Sequence, residues 1–236
     1  MKEVIKDILF PPRCPMCDEL LSPREGRICS SCRGELSYVE SPVCFRCGKE
    51  IESGEEEYCE DCSKNKRSYI QGFPVFNYMP PVSDSLMALK YGGRQEYASF
   101  YGEEIYRKYS KKLKECRIDA LVPVPIHRKK YVKRGYNQAE LIAQALGKTM
   151  GVEVRTDILK RVSYTTPQKQ LSNTEREKNL RKAFITFEAI KNLPETVLLV
   201  DDIYTTGATI EACTSACLEK GIKKVYYTSV AIGVSG

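Results

Sequence analysis

The sequence lacks the long apolar runs of membrane proteins. No stretch approaches the roughly 18 consecutive apolar residues that a membrane span requires. The first ten residues contain too short an apolar segment for an export signal, and Pro11-Pro12 ends that segment. We therefore expect a cytoplasmic protein without an integral membrane segment. Histidine is also scarce, since His127 is the only one in the chain.

Cysteine, by contrast, is abundant, and eight of the 11 cysteines form four Cys-x-x-Cys pairs. This spacing is typical of metal ligands, and in a chain without an export signal it favours reduced thiolates over disulfides. Zn²⁺ prefers four thiolates in a tetrahedron, so the pairs predict two closed structural zinc sites. The predicted ligands are Cys14, Cys17, Cys29, Cys32, Cys44, Cys47, Cys59 and Cys62.

The spacing alone leaves open which pairs share an ion. The pairs recur every 15 residues, which permits sequential sites or a cross-braced arrangement in which alternate pairs share an ion. We favour sequential sites within residues 14–32 and 44–62, because each 19-residue unit closes locally with a small loop entropy. Thioredoxin-like redox chemistry is disfavoured, since four regular pairs exceed what it requires.

Charge is distributed unequally along the 236 residues. Residues 1–64 hold 9 Lys and Arg against 14 Asp and Glu, a net charge of −5, and the remainder holds 28 against 17, a net charge of +11. We predict a zinc module over residues 1–64 and a second domain over residues 65–236, with a polar linker at 63–72. Chelation is expected to unfold the zinc module and to leave the second domain largely folded. A polyanion partner is expected to contact the second domain.

The most informative stretch is residues 197–209. Four aliphatic residues precede Asp201-Asp202 and a small, hydroxyl-rich turn. The pattern predicts a buried strand of a parallel sheet, then a loop, then a helix that Gly221 ends. Ligands of open α/β sheets bind at the carboxyl edge, where a helix N-terminus offers unpaired N–H groups. Adjacent carboxylates beside a phosphate cradle suit a sugar phosphate with a metal such as Mg²⁺.

This stretch resembles the phosphoribosyl pyrophosphate (PRPP) signature of type I phosphoribosyltransferases. The resemblance implies an α/β fold in which a parallel sheet is flanked by helices, with Mg²⁺ bound together with PRPP. The carboxylates would bind ribose hydroxyls, and the loop would hold a phosphate through N–H and hydroxyl groups. The implied PRPP-binding residues are Asp201, Asp202, Thr205, Thr206, Gly207, Ala208 and Thr209.

A second buried strand is predicted within residues 118–125, where the phosphoribosyltransferase architecture carries its pyrophosphate loop. The corresponding residues are Val124, Pro125, Ile126, His127 and Arg128. Five cations fall within the seven residues 128–134 and suit an anion, although a solvated charge run is the alternative. Transfer of this type depends mostly on a stabilised oxocarbenium-like centre and a bound leaving group, so we assign no catalytic residue, His127 included.

A wider resemblance includes Arg-Gly-Tyr-Asn-Gln at residues 134–138 and the segment from Arg161 to Asn179. With the cysteine pairs, these motifs are similar to the ComF family over nearly the whole chain. Members of that family join an N-terminal double zinc ribbon to a phosphoribosyltransferase-like domain. The resemblance implies a role in natural transformation, with single-stranded DNA and a ComF helicase-like ATPase as partners. It assigns mobile-loop and anion contacts to Lys90, Arg134, Arg161, Gln168 and Arg176.

Two functions remain open. The chain is either a PRPP-binding protein that handles single-stranded DNA during uptake, or an active Mg-dependent phosphoribosyltransferase acting on an unidentified base or amine. Residues 161–180 also resemble the mobile loop of glutamine amidophosphoribosyltransferases. The chain begins Met1-Lys2 without a cysteine nucleophile, so glutamine-dependent amine transfer is not expected. A purely structural DNA-binding module is disfavoured, because Asp201 and Asp202 would repel a phosphate backbone.

The rest of the second domain is predicted from periodicity and capping. An edge strand is expected at residues 73–78, with helices at 83–91 and 94–112. A further helix is expected at residues 137–150, because Asn137 and Glu140 have capping-box spacing and Gly151 provides a stop.

Overall fold

The computed structural model describes residues 11–22, 25–162 and 183–234. Its helices are α1 (Ser30–Gly34), α2 (Glu60–Lys64), α3 (Val82–Tyr91), α4 (Tyr97–Glu115), α5 (Arg128–Arg134), α6 (Gln138–Met150) and α7 (Ala208–Lys220). Its strands are β1 (Gly72–Asn77), β2 (Ala120–Pro123), β3 (Glu153–Val154), β4 (Leu159–Arg161), β5 (Phe184–Thr186), β6 (Thr196–Tyr204) and β7 (Lys224–Ile232).

A five-stranded sheet with the order β1-β7-β6-β2-β3 forms the centre of the fold. All of its neighbouring strands are parallel. Its central strands are buried on both faces, as their continuous aliphatic runs predict. Helices flank the sheet, which confirms the fold class predicted from the sequence.

The strands that follow β2 in the chain are added first on one side of it and then on the other, and this reversal occurs between β2 and β6. From β2 the sheet grows outward to β3, whereas β6 and β7 lie on the other side of β2 and lead to β1 at the opposite edge. Val200 of β6 lies opposite Pro123 at the end of β2. In open α/β sheets, a crevice forms at the carboxyl ends of the strands where such a reversal occurs.

The helix predicted from capping residues agrees closely with the structure. The Asn137 side chain accepts a hydrogen bond from the Ala139 N–H at 3.1 Å, and Gly151 ends α6 in the left-handed conformation. Helix α4 begins at Tyr97 rather than at Arg94, because residues 92–96 form a turn after α3. None of the described helices combines the length and apolar composition that crossing a membrane requires.

The two zinc-ribbon segments pack on opposite faces of the sheet. Cys14 and Ile28 of the first belong to the apolar cluster that contains Leu198 and the α4–α6 helix pair. The cysteines Cys44 and Cys47 of the second belong to the cluster on the other face, which contains Leu199 and α7. The predicted polar linker is wrong in part, because Tyr69 is fully buried between the second ribbon and the sheet. The domain boundary at residue 64 remains a prediction.

A small antiparallel sheet made of β4 and β5 was not predicted. It pairs Arg161 with Phe184, so the two ends of the chain segment around residues 163–182 lie side by side. Buried Leu159 and Phe184 attach this sheet to the α7 face of the fold. Arg161, at the start of the predicted mobile loop, therefore belongs to a sheet beside α7, and residues 163–180 of that loop lie outside the described residues.

Candidate functional site

The candidate site lies at the carboxyl edge, where β2 and β6 end. Strand β6 continues through Asp201 and Asp202 to Tyr204, further than the sequence predicted. On the other side, the Val124 N–H donates to the Val200 carbonyl at 2.9 Å, so the chain after β2 stays beside β6. The structure therefore places the start of segment 124–128 beside the end of β6, from which residues 201–209 continue.

The two aspartates are buried and occupy opposite sides of β6. Along β6, Asp202 lies on the same side as Leu198 and Val200. Its Oδ2 lies 2.5 Å from the Nζ of Lys90 at the end of α3. Asp201 shares the side of Val197 and Leu199 and lies under α7. Strand alternation explains the difference, because consecutive side chains point to opposite faces. The paired carboxylates therefore differ in their partners.

Asp201 has a perturbed acidity. Burial raises its pKa well above the usual range, and the nearby carboxylate of Asp202 raises it further. Its Oδ1 accepts a hydrogen bond from the Asp202 N–H at 2.8 Å, which opposes the rise only in part. A cation bound at this edge would favour the ionised form, since carboxylate oxygens are the ligands that Mg²⁺ prefers.

The predicted phosphate loop joins β6 to α7. Gly207 is the residue before α7 and has a φ of +73°, a conformation that favours glycine. Thr205 and Thr206 are exposed, while Ala208 and Thr209 are half-buried in the first turn of the helix. The loop therefore presents hydroxyls and helix N–H groups at the edge of the sheet, the arrangement that binds anions.

The predicted pyrophosphate loop leads into the short helix α5. The Nδ1 of His127 accepts a hydrogen bond from the Lys129 N–H at 3.1 Å, so this side chain caps the helix. The Asn137 Nδ2 donates to the Val124 carbonyl at 3.0 Å and holds the start of the loop against α6. The capping role of His127 agrees with leaving it out of the catalytic assignments.

Basic side chains from three segments converge above this loop. The Arg134 guanidinium lies 4.7 Å from the ring centroid of Tyr91, next to Lys90, and also donates to the Tyr91 hydroxyl at 3.0 Å. Partial desolvation lowers the pKa of Lys130, although its side chain is exposed, and the charges of Arg161 and Arg134 lower it further. Lys90, Arg134 and Arg161 thus all act electrostatically on Lys130, and their role as anion contacts stays a prediction. The predicted contacts Gln168 and Arg176 lie outside the described residues.

The eight predicted zinc ligands form two clusters, and each cluster suits one ion. Cys14, Cys17, Cys29 and Cys32 form the first, and Cys44, Cys47, Cys59 and Cys62 form the second. The sulfur atoms within each cluster lie within 4.8 Å of one another. Sequential pairing is therefore confirmed over the cross-braced alternative.

The sulfur spacing within the clusters fits tetrahedral zinc. Sulfurs bound at about 2.3 Å would lie about 3.8 Å apart. The Cys17 and Cys29 sulfurs are 3.8 Å apart, and those of Cys47 and Cys59 are 3.6 Å apart. In the second cluster the Cys47 N–H also points to the Cys44 sulfur at 3.5 Å. These distances support two closed, structural sites.

Two residues that the sequence did not single out connect the ribbons to the rest of the fold. Asp18, with a φ of +61°, pairs with Arg94 and accepts a hydrogen bond from the Tyr97 hydroxyl at 2.6 Å. The other is Arg67, whose side chain reaches the Thr206 carbonyl at 2.9 Å. The only sequence signal was the place of Asp18 directly after Cys17, since aspartate tolerates positive φ in tight turns.

Comparison with known proteins agrees with the zinc clusters. Residues 5–63 match the family model of the double zinc ribbon domain. The chain is 33% identical over 114 residues to competence protein F of Haemophilus influenzae, a match that covers 48% of this chain and 50% of that protein. It is 31% identical over 156 residues to competence protein ComFC of Streptococcus pneumoniae, covering 64% of this chain and 63% of that protein. The chain is a homologue of these competence proteins.

The chain is also similar to proteins that are named for DNA utilization rather than for competence. DNA utilization protein YhgH of Escherichia coli K12 is 27% identical over 154 residues, which cover 64% of this chain and 67% of that protein. The matches thus span about half to two thirds of the length of these relatives. The ComF resemblance and the double zinc ribbon predicted from the sequence are both confirmed.

Proposed function

We propose that the chain binds PRPP or a related ribose phosphate with Mg²⁺ at the crevice between β2 and β6. The observation that carries the proposal is the meeting of two buried aspartates with a helix N-terminus at the point where the order of strand addition reverses. Residues 205–209 would hold the 5′-phosphate. The carboxylates would accept from the ribose hydroxyls, and residues 124–128 would face the pyrophosphate.

The cations of the crevice complete this assignment. Lys90 pairs with Asp202, and the charges of Arg134 and Arg161 act on Lys130 in the helix that follows this loop. Together they would neutralise the pyrophosphate and hold it in place, which lowers the barrier to its departure from C1 of the ribose. Bound Mg²⁺ would neutralise further charge on the diphosphate.

We further propose that the chain handles single-stranded DNA during DNA uptake, together with a ComF helicase-like ATPase. The names of the homologues, competence proteins and a DNA utilization protein, support this role. The exposed cations of α5 and the exposed side chain of Tyr131 form a surface suited to a single strand, because phosphates pair with cations and bases stack on aromatic rings. We place the protein in the cytoplasm on this proposal.

Calorimetric titration of the full chain with Mg²⁺ and PRPP tests the first part. The Asp201→Asn, Asp202→Asn double variant should bind at least about tenfold more weakly, because each lost hydrogen bond to a charged group is worth roughly 1.5–3 kcal/mol. Asp157→Asn is the matched control, since Asp157 pairs with Arg155 at the amino edge of the sheet. Equal affinities for the double variant and the wild type would refute the placement.

A second candidate function is phosphoribosyl transfer to an unidentified base or amine. It is supported by the same crevice, which holds loops suited to both the sugar phosphate and the leaving pyrophosphate. Pyrophosphate release should be followed with PRPP and Mg²⁺, alone, with candidate bases and amines, and with single-stranded DNA. Release that depends on an acceptor would establish an enzyme, whereas binding without release in every mixture would favour a PRPP-binding adaptor.

A further inference from the structure

The second zinc cluster lies directly behind the candidate phosphate loop. The Tyr227 hydroxyl, buried on β7, donates a hydrogen bond to the carbonyl of the ligand residue Cys47 at 2.7 Å. The Gly72 N–H donates to the carbonyl of the adjacent Arg46 at 2.8 Å. The backbone around one zinc ligand is therefore tied to strands β1 and β7 of the sheet.

Three tyrosines continue this contact to the loop. The Tyr227 ring stacks on Tyr204 with a centroid distance of 4.9 Å and meets Tyr69 edge-on at 5.0 Å. The hydroxyls of Tyr69 and Tyr204 share a hydrogen bond at 2.8 Å. The Tyr204 hydroxyl also fills the space at Gly207, where an added Cβ would lie 2.2 Å from its oxygen. The buried tyrosines thus fix the last residue of β6 and the start of α7.

Arg67 forms a second connection on the exposed side of the loop. Its NH2 group donates to Asp61 Oδ2 at 2.6 Å and to the Thr206 carbonyl at 2.9 Å. Asp61 belongs to α2 and precedes the zinc ligand Cys62. The Arg67 side chain is only 4% exposed, so the donor side of these charge-assisted hydrogen bonds is shielded from water, while the side chain of Asp61 is 48% exposed. A neighbouring pair of hydrogen bonds, from Ser68 to Glu211, holds the same segment against α7.

The first zinc cluster has different partners. Its knuckle residue Asp18 pairs with Arg94 and Tyr97 at the start of α4, on the other face of the sheet. Within the described residues, the contacts of Tyr204 and Thr206 at the phosphate loop lead to the second cluster. Loss of the first cluster would therefore disturb the start of α4, whereas loss of the second would disturb the phosphate loop.

We propose that the second zinc site, formed by Cys44, Cys47, Cys59 and Cys62, positions the phosphate loop, with Arg67 and Tyr227 as the positioning residues. Zinc holds Cys47 and the Asp61–Cys62 turn in place, and these two points hold Tyr204 and Thr206. Loading of this site with zinc then sets how well the loop is preorganised for a phosphate. The identity of that ligand rests on the function proposed above, whereas the support of the loop does not.

Hydrogen–deuterium exchange of the full chain tests the support without any ligand. Arg67→Met should raise amide exchange in residues 204–209 while zinc stays at two ions per chain. Arg67→Lys should restore part of the protection, because a lysine can still donate to Thr206. Lys66→Met is the matched control, since Lys66 is exposed and adjacent in sequence; it should leave exchange unchanged. If PRPP binds, Arg67→Met should weaken that binding by about tenfold or more.

Paired cysteine variants compare the two sites. Cys62→Ser and Cys17→Ser should each lower the zinc content, and Cys62→Ser should raise exchange in residues 204–209 more than Cys17→Ser does. Tyr227→Phe keeps the ring and removes the hydrogen bond to Cys47, so it should raise exchange even if the cysteine variants fail to fold. Unchanged exchange in both Arg67→Met and Tyr227→Phe would overturn the proposal. Wild-type protein that fails to bind PRPP would refute the ligand alone, because the exchange result stands separately.

Discussion

Asp201 is a buried carboxyl group at the edge of the candidate crevice. Its pKa is raised by burial first and by the charge of Asp202 second. Binding of Mg²⁺ with PRPP would place positive charge beside it and lower that pKa again. The free protein would therefore hold a proton that the complex releases.

We predict that Mg²⁺ and PRPP bind with release of a proton and that affinity rises with pH up to the pKa of Asp201 in the free protein. The sign follows because the free state binds more protons than the complex over that range. Calorimetry in buffers of different ionisation enthalpy measures the release. Asp201→Asn should abolish it, and release that persists in this variant would assign the proton to another group.

Lys90 and Asp202 form the other residue-scale feature, a buried pair whose charged atoms are 2.5 Å apart. Their side chains are 14% and 7% exposed. Removing one partner of such a pair leaves an uncompensated charge, at a cost of about 3 kcal/mol.

We predict that Lys90→Met lowers the free energy of unfolding by about that amount and that Asp202→Asn in the same chain recovers most of it. Urea denaturation of the wild type, both single variants and the double variant gives the coupling. Additive effects of the two substitutions would show that the pair does not interact strongly.

Part of the site could be predicted residue by residue, and part could not. The adjacent aspartates, the glycine of the loop and the eight cysteines are contiguous or regularly spaced, so local sequence carries their signal. Asp18, Arg67 and Tyr227 act through partners that are distant in sequence. The Tyr227 contact to Cys47, for example, joins residues 180 positions apart. No local pattern marks such residues.

Among the elements, α5 is the clearest candidate for contact with DNA. Residues 128–133 are all exposed, and they include four cations and Tyr131. Neutralising three phosphates on a single strand changes the log–log salt dependence of binding by about 2. The salt slope therefore reports directly on this helix.

We predict that Lys129→Ala, Lys130→Ala and Lys133→Ala together weaken binding of labelled single-stranded DNA and reduce the salt slope by about 2. The matched control removes three exposed cations from α4: Lys111, Lys112 and Lys114. Equal effects of both triple variants would show that DNA responds only to net charge. Added PRPP should compete with the DNA if both use the loop before α5, and binding that ignores PRPP would separate the two anion sites.

Element types were predicted well where periodicity and caps agree. Helix α6 has both an Asn137 cap and a glycine stop, and its boundaries match. The β4–β5 sheet escaped prediction because each strand has only three residues, too few for alternation to show. The linker was misread because polar residues surround Tyr69, whose burial comes from the tertiary partners Tyr204 and Tyr227.

At the scale of the whole molecule, the zinc clusters form part of the two main cores. One ribbon contributes to the core on each face of the sheet. Zinc binding supplies about 10–16 kcal/mol to small zinc domains, as much as the entire stability of many proteins. This packing argues against the expectation that chelation spares the second domain.

We predict two zinc ions per chain and a loss of stability throughout the molecule on chelation. Elemental analysis of freshly purified, reduced protein checks the stoichiometry. Differential scanning calorimetry should show one transition that moves to lower temperature with chelator and returns when zinc is restored. A transition of residues 65–236 that chelator leaves in place would contradict the shared cores, and protein purified without zinc would contradict the sites themselves.

The pairing of β1 with β7 also constrains the order in which the chain can fold during its synthesis. Thr228 of β7 donates to the carbonyl of Phe73 in β1, 155 residues earlier in the chain. The ribbons are made before β7 and can take up zinc at once, but β1 lacks its partner strand in the sheet until β7 is made. Tyr227 arrives on that same strand. A nascent chain would therefore carry metal well before it could hold a phosphate, and a chaperone that shields the β7 side of β1 would have to remain bound until β7 has been made.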